Sequence, residues 1–139
     1  MATTSRIGVR VMADGDVAAV ARLLVASGLA PRSGLVERLR TAMATAPGLC
    51  LVAAAGRKPV GAALASFNGF HVFLSHLVVV PRLRNHGFGR RLHVGVVARA
   101  TRLGAREIIV DARLDAVGYF GRLGYRRPGA VFLIRRPGR

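Results

Sequence analysis

Apolar residues change their spacing along the first third of the chain, from every second position to every third or fourth. Alternation over residues 7–11 predicts a first strand. Asp14 or Asp16 then stands where a side chain can cap a helix, and that helix is predicted to run to about Val25. Apolar residues at helical spacing over 35–43 predict a second helix. The chain therefore opens as a strand followed by two helices.

Three strands in succession are predicted next. The second helix stops at Pro47-Gly48, and apolar runs then alternate with turn residues. The predicted strands are Leu49–Ala55, Val60–Phe67 and Val72–Val80. Asn68-Gly69, between the last two, is a strong hairpin signal. The uncharged stretch from Pro59 to Pro81 is therefore predicted to fold back on itself as two buried strands, and not to cross a membrane.

A long amphipathic helix and three short elements complete the predicted pattern. Apolar residues from Phe88 to Leu103 recur on one helical face, and arginines occupy the opposite face. A short apolar strand follows at Glu107–Ala112, then a short helix at Asp115–Leu123 and a final strand at Val131–Ile134.

The order β-α-α-β-β-β-α-β-α-β predicts an α/β fold with a mixed, mostly antiparallel sheet flanked by helices. Strand four feeds the long helix and returns as strand five, so these two strands are predicted to be parallel, with a right-handed connection. Residues 1–139 are predicted to form a single domain, because this length supplies one core. Ligands of such sheets bind at the carboxyl ends of strands, which draws attention to the loop that enters the long helix.

Composition excludes several classes of protein. Hydrophobic residues make up 52% of the chain and charged residues 20%, which is typical of a globular protein and not of a disordered one. Cys50 is the single cysteine, so an intramolecular disulfide and a cysteine-rich metal site are excluded, and no other metal site is predicted. The first residues lack the apolar run of a secretory signal, and we expect a cytoplasmic protein.

The formal net charge of +16 comes almost entirely from arginine, since Lys58 is the only lysine. Arginine, alanine, glycine and valine are abundant and are encoded by GC-rich codons, so part of this charge reflects codon usage. Residues 82–139 are the more basic half, with 14 arginines against three acidic residues. This half is expected to attract anions and to repel polycations.

The segment between strand four and the long helix is rich in glycine and arginine. Gly87 and Gly89 let the backbone approach a ligand closely, and the first turn of the helix offers N–H groups that have no acceptor within the helix. The helix dipole and the side chains of Arg84, Arg90 and Arg91 add positive potential. These features predict an anion site that a pyrophosphate group fits.

Two motifs resemble the GCN5-related N-acetyltransferases, a superfamily abbreviated GNAT. Arg84-Asn85-His86-Gly87-Phe88-Gly89 fits its R/Q-x-x-G-x-G/A signature, and Leu77-Val78-Val79-Val80-Pro81 is similar to the L-x-V-x-P strand before it. Ala116-Val117-Gly118-Tyr119-Phe120-Gly121-Arg122-Leu123-Gly124-Tyr125 resembles the family's A-x-x-F-Y-x-x-x-G-F stretch. The order of elements also fits, so the resemblance covers nearly the whole chain and implies the acyl-CoA N-acyltransferase fold.

The resemblance implies acetyl-CoA as a cosubstrate, held by strand four and the loop after it. Backbone groups of Leu77, Val78 and Val79 would pair with the pantetheine arm, in a splay between strands four and five. The pyrophosphate would be held by the N–H groups of seven consecutive residues, Arg84, Asn85, His86, Gly87, Phe88, Gly89 and Arg90. No metal is implied.

The chain departs from the family pattern at two positions. The tyrosine proposed to protonate the departing CoA thiolate falls at Phe120, which has no proton to give, and a frequent asparagine falls at Arg113. Tyr119 points about 100° away on the same helix and is a poor substitute. A thiol with a pKa of about 8.5 leaves readily as its anion, so the lost acid predicts slower chemistry and not its absence.

His76 is the candidate base. No acidic residue stands between Glu37 and Glu107, so the carboxylate that many relatives carry on strand four is missing, and His76 stands nearest to its position. An imidazole titrates near neutral pH, which suits a base, whereas the alternative role is that of a hydrogen-bonded core histidine. His71 is an odd number of residues away and faces the other side of a regular strand, unless a bulge intervenes.

Three functional classes fit these residues. The first is an acetyl-CoA-dependent N-acetyltransferase that transfers directly to a primary amine of a small molecule or protein, with polycations disfavoured as acceptors by the net charge. The second is a catalytically weakened acyl-CoA-binding module of the same fold. The third, a basic nucleic-acid-binding protein, ranks last because few aromatic residues are available to stack on bases. GNAT proteins often form dimers, so the resemblance leaves a homodimer open.

Overall fold

The computed structural model describes residues 6–138, which divide into two compact units. The first unit extends to Ile109 and the second begins at Val110. The strands are β1 (Ile7–Val11), β2 (Cys50–Ala55), β3 (Lys58–Phe67), β4 (His71–Val79) and β5 (Glu107–Val110). The α-helices are α1 (Val17–Ala26), α2 (Leu35–Thr45), α3 (Phe88–Leu103) and α4 (Val117–Arg122), of which α4 belongs to the second unit.

The five strands form one sheet in the order β1-β2-β3-β4-β5. The first four pair antiparallel, with Ile7 opposite Ala55 at one edge and Gly61 opposite Val79 between β3 and β4. β4 and β5 are parallel, and α3 connects them. The predicted mixed, mostly antiparallel sheet flanked by helices is therefore confirmed.

Helices cover both faces of the sheet. Met12, buried residues of α1 and α2 and the even-numbered residues of β2 form one apolar cluster, to which Leu64 and Val78 also belong. The odd-numbered Leu51 points the other way and lies against Gly95 of α3, where an added Cβ would come within 2.8 Å of Leu51 Cδ1. Successive residues of a strand face opposite sides, so α3 packs on the sheet face opposite α1 and α2.

The hairpin predicted at Asn68-Gly69 is confirmed. The Asn68 side-chain oxygen accepts hydrogen bonds from the backbone N–H groups of Phe70 (2.9 Å) and His71 (2.8 Å). Gly69 takes φ +95°, a left-handed conformation that favours glycine. The uncharged stretch around this turn forms β3 and β4, and no helix among residues 6–138 is long and apolar enough to span a bilayer.

Two predictions about local structure are wrong. Asp16 makes no side-chain cap hydrogen bond to α1, because its carboxylate accepts hydrogen bonds from Arg10 of β1 and from the Ala13 N–H, the latter as the capping box of the 3-10 turn at Asp14–Asp16. The final strand predicted at Val131–Ile134 is absent from the described structure, and its four side chains are exposed. Apolar, β-branched residues favour a strand but need a neighbouring strand for their backbone groups, and residues 110–138 contain no strand beyond the last residue of β5.

Gly61 allows the close approach of β3 and β4. A Cβ at this position would lie 2.8 Å from the Val78 carbonyl oxygen, which is backbone and cannot rotate away, and 3.3 Å from Leu92 Cδ1. We expect Gly61→Ala to lower the free energy of unfolding by about 1–3 kcal/mol, measured by urea denaturation. Gly8→Ala is the matched control, because a Cβ on Gly8 in β1 meets nothing within 4 Å. Equal stability of the two variants would contradict this reading of the contact.

Candidate active site

The loop between β4 and α3 is held at both ends. A 3-10 turn at Pro81–Leu83 follows β4, with the Leu83 N–H donating to the Val80 carbonyl (3.0 Å) and the Leu83 side chain buried. Asn85 (φ +65°) and Gly87 (φ +84°) are both left-handed, and Gly87 is the N-cap residue of α3. Because two of the three residues at 85–87 are left-handed, the chain turns sharply as it enters the helix.

The beginning of α3 presents several N–H groups to solvent. The first helical hydrogen bond joins the Arg91 N–H to the Gly87 carbonyl (3.0 Å), so the N–H groups of Phe88, Gly89 and Arg90 have no acceptor inside the helix. No acidic residue occurs in α3, and the side chain of Phe88 is buried and anchors the first turn. This end of the helix can therefore bind an anion through backbone groups.

Two of the three arginines expected to reinforce this site have other contacts. Arg91 Nη1 donates to the Ile7 carbonyl (3.0 Å), so Arg91 joins α3 to β1. Arg84 Nε donates to the Val79 carbonyl (3.3 Å) and stays at the carboxyl end of β4. Arg90 is exposed on the first turn. Arg84 and Arg90 are the two cations left beside the N–H groups.

The two histidines near the loop differ in environment. His86 is exposed, and its Nδ1 lies 2.8 Å from the carbonyl oxygen of Arg84, to which it must donate. His93 is buried in α3, where burial first and the charge of Arg90 second lower its pKa. His86 is therefore exposed in the loop with its Nδ1–H bound to the Arg84 carbonyl, whereas His93 is a neutral residue buried in α3 at neutral pH.

β5 covers β4 along only part of its length. The N–H of Arg106 donates to the Phe70 carbonyl (2.8 Å), so the two parallel strands start level. The four residues of β5 span about 13 Å and end near Ser75, whereas β4 has nine residues. Within residues 6–109, no strand lies beside Leu77, Val78 and Val79 on that edge. An extended ligand can lie there against the backbone.

A β-bulge brings His71 to the same face of the sheet as His76. Leu64 pairs with His76 and Ala65 with Leu74, so Ser75 is an extra residue without a partner in the β3 ladder. Because the bulge adds one residue, His71 and His76 lie on the same face of the sheet, where Leu64 belongs to the cluster beneath α1 and α2. A regular strand would have placed His71 and His76 on opposite faces. The bulge places them on the same face, which is the alternative predicted for a strand with a bulge.

The Ser75 hydroxyl determines which nitrogen of His76 carries the proton. Ser75 Oγ lies 3.1 Å from the Leu64 carbonyl oxygen, which can only accept, so the single hydroxyl hydrogen is used there. His76 Nδ1 lies 2.9 Å from the same Oγ, and with the hydroxyl hydrogen on the Leu64 carbonyl oxygen it is Nδ1 that donates to Oγ. In the neutral ring Nε2 then bears the lone pair, which is the form of imidazole that accepts a proton.

A cavity of about 500 Å³ lies on the His76 side of the sheet. Its volume is in the range of small-molecule sites. The apolar part of its wall comes mainly from α1, α2 and the segment between them, namely Leu24, Leu29, Ala30, Pro31, Leu35, Leu39, Ala42, Leu64 and Ala65. The polar part consists of Arg38, Thr45, Ser66, Ser75 and His76. No carboxylate is among these lining residues. The sequence did not indicate Arg38, since no local pattern assigns an exposed helical arginine to a site.

The second unit contains the residues at which the chain departs from the GNAT pattern. Phe120 lies edge-on to Tyr119 (5.4 Å between ring centroids) and to Tyr125 (5.6 Å). Burial raises the pKa of Tyr125 to about 12, so its hydroxyl keeps its proton at neutral pH. Arg113 is exposed and lies 3.8 Å from Asp115. Phe120 is therefore one member of an aromatic cluster.

A model of a known protein family matches most of the chain. A sequence model described as "Acetyltransferase (GNAT) domain" matches residues 31–133. That span contains α2, β2 to β5, the glycine-rich loop and α4. No protein of curated function matches the sequence.

Solved structures share the fold over nearly the whole chain. An acetyltransferase of Trypanosoma brucei aligns with a TM-score of 0.77 and 19% identity, covering 94% of this chain and 99% of its own. Ard1 of Thermoplasma volcanium gives a TM-score of 0.78 at 15% identity, covering 86% and 82%. The aminoglycoside N-acetyltransferase AAC(6')-Iy, solved with CoA, gives 0.77 at 22% identity, covering 94% and 95%.

Proposed function

The chain belongs to the GNAT acetyltransferase family, and we propose that it transfers the acetyl group of acetyl-CoA directly to a primary amine. One observation carries the proposal. A single strand, β4, presents His76 to a cavity and leads directly into a glycine-capped helix that offers N–H groups to an anion. A base on β4 and a phosphate site at the start of the helix that follows it are what this transfer requires.

The residues of the loop fit the pyrophosphate of CoA. Arg84 and Arg90 stand beside the N–H groups of Phe88 and Gly89, and AAC(6')-Iy, which shares the fold, was solved with CoA bound. A pantetheine chain could pair with the backbone of Leu77–Val79, where β5 no longer covers β4. When bound, acetyl-CoA supplies the acetyl group as a thioester.

His76 takes the proton that the acceptor amine must lose. The amine nitrogen attacks the thioester carbonyl carbon, a C–N bond forms and the C–S bond breaks, while the proton passes to His76 Nε2. Ser75 holds the ring through Nδ1 and keeps Nε2 as the accepting atom. A backbone N–H of β4 can stabilise the negative charge that develops on the carbonyl oxygen.

The CoA sulfur leaves as a thiolate in this proposal. Phe120, at the position of the family's frequent acid, cannot donate a proton. A thiol of pKa about 8.5 is a sufficiently weak base to leave unprotonated and to take a proton from water afterwards. The reaction is therefore expected to be slower than in relatives that carry a tyrosine there, and not absent.

Thiol release tests the proposal. Wild-type protein with saturating acetyl-CoA is incubated with a panel of amines and peptides, and free CoA is measured with a thiol reagent against a blank without amine. Release that depends on one class of amine supports the proposal. Tight acetyl-CoA binding without release from any amine would favour the weakened acyl-CoA-binding module of the same fold.

Glycine at position 87 is expected to be essential for acetyl-CoA binding. Gly87→Ala adds a side chain at φ +84° and Gly89→Val adds bulk on the first turn, so both should raise the Kd for acetyl-CoA at least about tenfold in calorimetric titration. Gly104→Ala is the matched control, because Gly104 caps the other end of α3 with φ +74° and the same open surroundings. Loss of binding in the control as well would assign the effect to strain in α3.

We also propose that residues 1–139 form one acetyltransferase domain. The match to the family over residues 31–133 runs across the boundary between the two units at Val110. Expression of residues 1–109 alone should therefore give a protein without acetyl-CoA-dependent release of thiol.

A further inference from the structure

The cavity on the His76 side of the sheet is mostly apolar and carries one full charge. Among the residues of 6–138 that line it, Arg38 is the only one with a formally charged side chain. Acidic residues are rare in this chain, with six Asp and Glu in total, and none of them lines the cavity. A ligand in this cavity is therefore met by apolar carbon, by hydroxyl and imidazole groups, and by one cation.

The guanidinium of Arg38 forms no hydrogen bond or ion pair that stabilises the fold described by residues 6–138. Three other arginines of the first unit do stabilise the fold, since Arg10 pairs with Asp16, Arg40 on the same helix pairs with Asp14, and Arg91 donates to Ile7. The backbone N–H of Arg38 donates to the Gly34 carbonyl (3.1 Å), but its side chain makes no hydrogen bond or ion pair within residues 6–138. Its side chain is exposed at the cavity, so a ligand can reach its donors without breaking an existing contact.

The hydroxyl hydrogens of two other polar lining residues are already donated. Thr45 Oγ1 donates to the Thr41 carbonyl (2.9 Å) of its own helix, and Ser75 Oγ donates to the Leu64 carbonyl. Arg38 is thus the strongest donor that the cavity wall offers to an acceptor group of the ligand. Five N–H donors in a planar fork match a carboxylate.

The residues that line the cavity indicate the class of acceptor, provided that the chain transfers acetyl groups as proposed above. We propose that the acceptor is a primary amine with an apolar body and a carboxylate, in which Arg38 binds the carboxylate and His76 receives the proton of the amine. A polycationic amine would find no carboxylate in this cavity and would meet the positive charge of Arg38. The chain is therefore expected to differ in acceptor from the aminoglycoside N-acetyltransferase whose fold it shares.

Matched amines test the acceptor class. Phenylalanine and the dipeptide Leu-Phe carry a carboxylate at two distances from the amine, phenethylamine lacks it, and spermidine and kanamycin are polycations. We expect thiol release with at least one carboxylate-bearing amine, with kcat/KM at least about tenfold above that of phenethylamine, and no release above the blank with either polycation. Release that is equal with phenethylamine, or higher with a polycation, would overturn the acceptor class and leave acetyl transfer in place.

Two variants separate a direct role of Arg38 from a general effect of charge. Arg38→Met is expected to raise KM for the carboxylate-bearing amine about tenfold or more, with kcat and the KM for phenethylamine within about twofold of wild type. Arg22→Met on α1 removes the same charge outside the cavity wall and should change none of these values. The same KM in Arg38→Met and wild type would overturn the assignment. Absence of release from every amine would overturn the acetyl transfer itself, with acetyl-CoA titration showing whether the loop still binds.

Discussion

We expect the His76→Gln variant to release CoA about 10²- to 10⁴-fold more slowly than the wild-type protein, the usual cost of removing a general base. Glutamine keeps a polar side chain on the cavity wall but cannot accept a proton at neutral pH. The loop and α3 are unchanged, so acetyl-CoA should bind with the wild-type Kd. The measurement is thiol release at saturating acetyl-CoA, with calorimetric titration of the same preparation.

The matched control for this variant is His71→Gln. His71 lies on the same strand and the same face, and its Nδ1 is 3.8 Å from Glu107 at the opposite end of β4. We expect its rate within about threefold of wild type. The acid limb of the plot of kcat/KM against pH should be lost in His76→Gln and kept in His71→Gln. Wild-type rates in His76→Gln would show that His76 is a packing residue and that water removes the proton.

Replacing Asp16 is expected to cause a large loss of stability. Its buried carboxylate accepts hydrogen bonds from Arg10 Nη1 (2.6 Å), Arg10 Nη2 (2.9 Å) and the Ala13 N–H (2.7 Å), which join β1 to the start of α1. Asp16→Ala leaves three donors without this acceptor, and we expect the free energy of unfolding to fall by about 3 kcal/mol in urea denaturation at pH 7.

Asp14→Ala is the matched control for the Asp16 variant. Asp14 also pairs with an arginine, Arg40 at 3.1 Å, but both side chains are exposed. An exposed ion pair contributes about 0.5 kcal/mol, so the control should be close to wild type. A loss in Asp16→Ala no larger than in Asp14→Ala would contradict a structural role for the buried carboxylate.

The contribution of Asp16 should also depend on pH. The hydrogen bonds from Arg10 are the largest cause that lowers the Asp16 pKa in the folded protein. The unfolded chain then binds the proton more readily, so the stabilisation is complete above the ordinary Asp pKa of about 3.9 and is lost as pH falls through the lowered folded value. The difference in stability between wild type and Asp16→Ala should therefore be constant near pH 7 and shrink below about pH 4.

Periodicity and turn chemistry predicted the first unit well, because both depend on residues that are close in sequence. The alternation over 7–11, the Asn68-Gly69 turn and the apolar face of α3 each specify an element locally, and the predicted bounds of β1 to β4 and α2 agree with the structure within about two residues. Local patterns were not sufficient at Val131–Ile134, where strand formation depends on a pairing partner and not on the segment itself.

The sequence by itself determined the family, the order of the elements up to α4, the glycine-rich loop before α3 and the absence of a carboxylate from β4, because each is a property of consecutive residues. Tertiary structure decided the remainder. The pairing of His76 with Leu64 of β3 places His76 on the cavity face, and the bulge at Ser75 brings His71 to that face. Arg38 joins the same wall because α2 packs across the sheet. Packing of β1 against the start of α1 likewise pairs Asp16 with Arg10, so that its side chain does not cap α1. Contacts between residues far apart in sequence depend on how whole elements pack, and no local pattern records them.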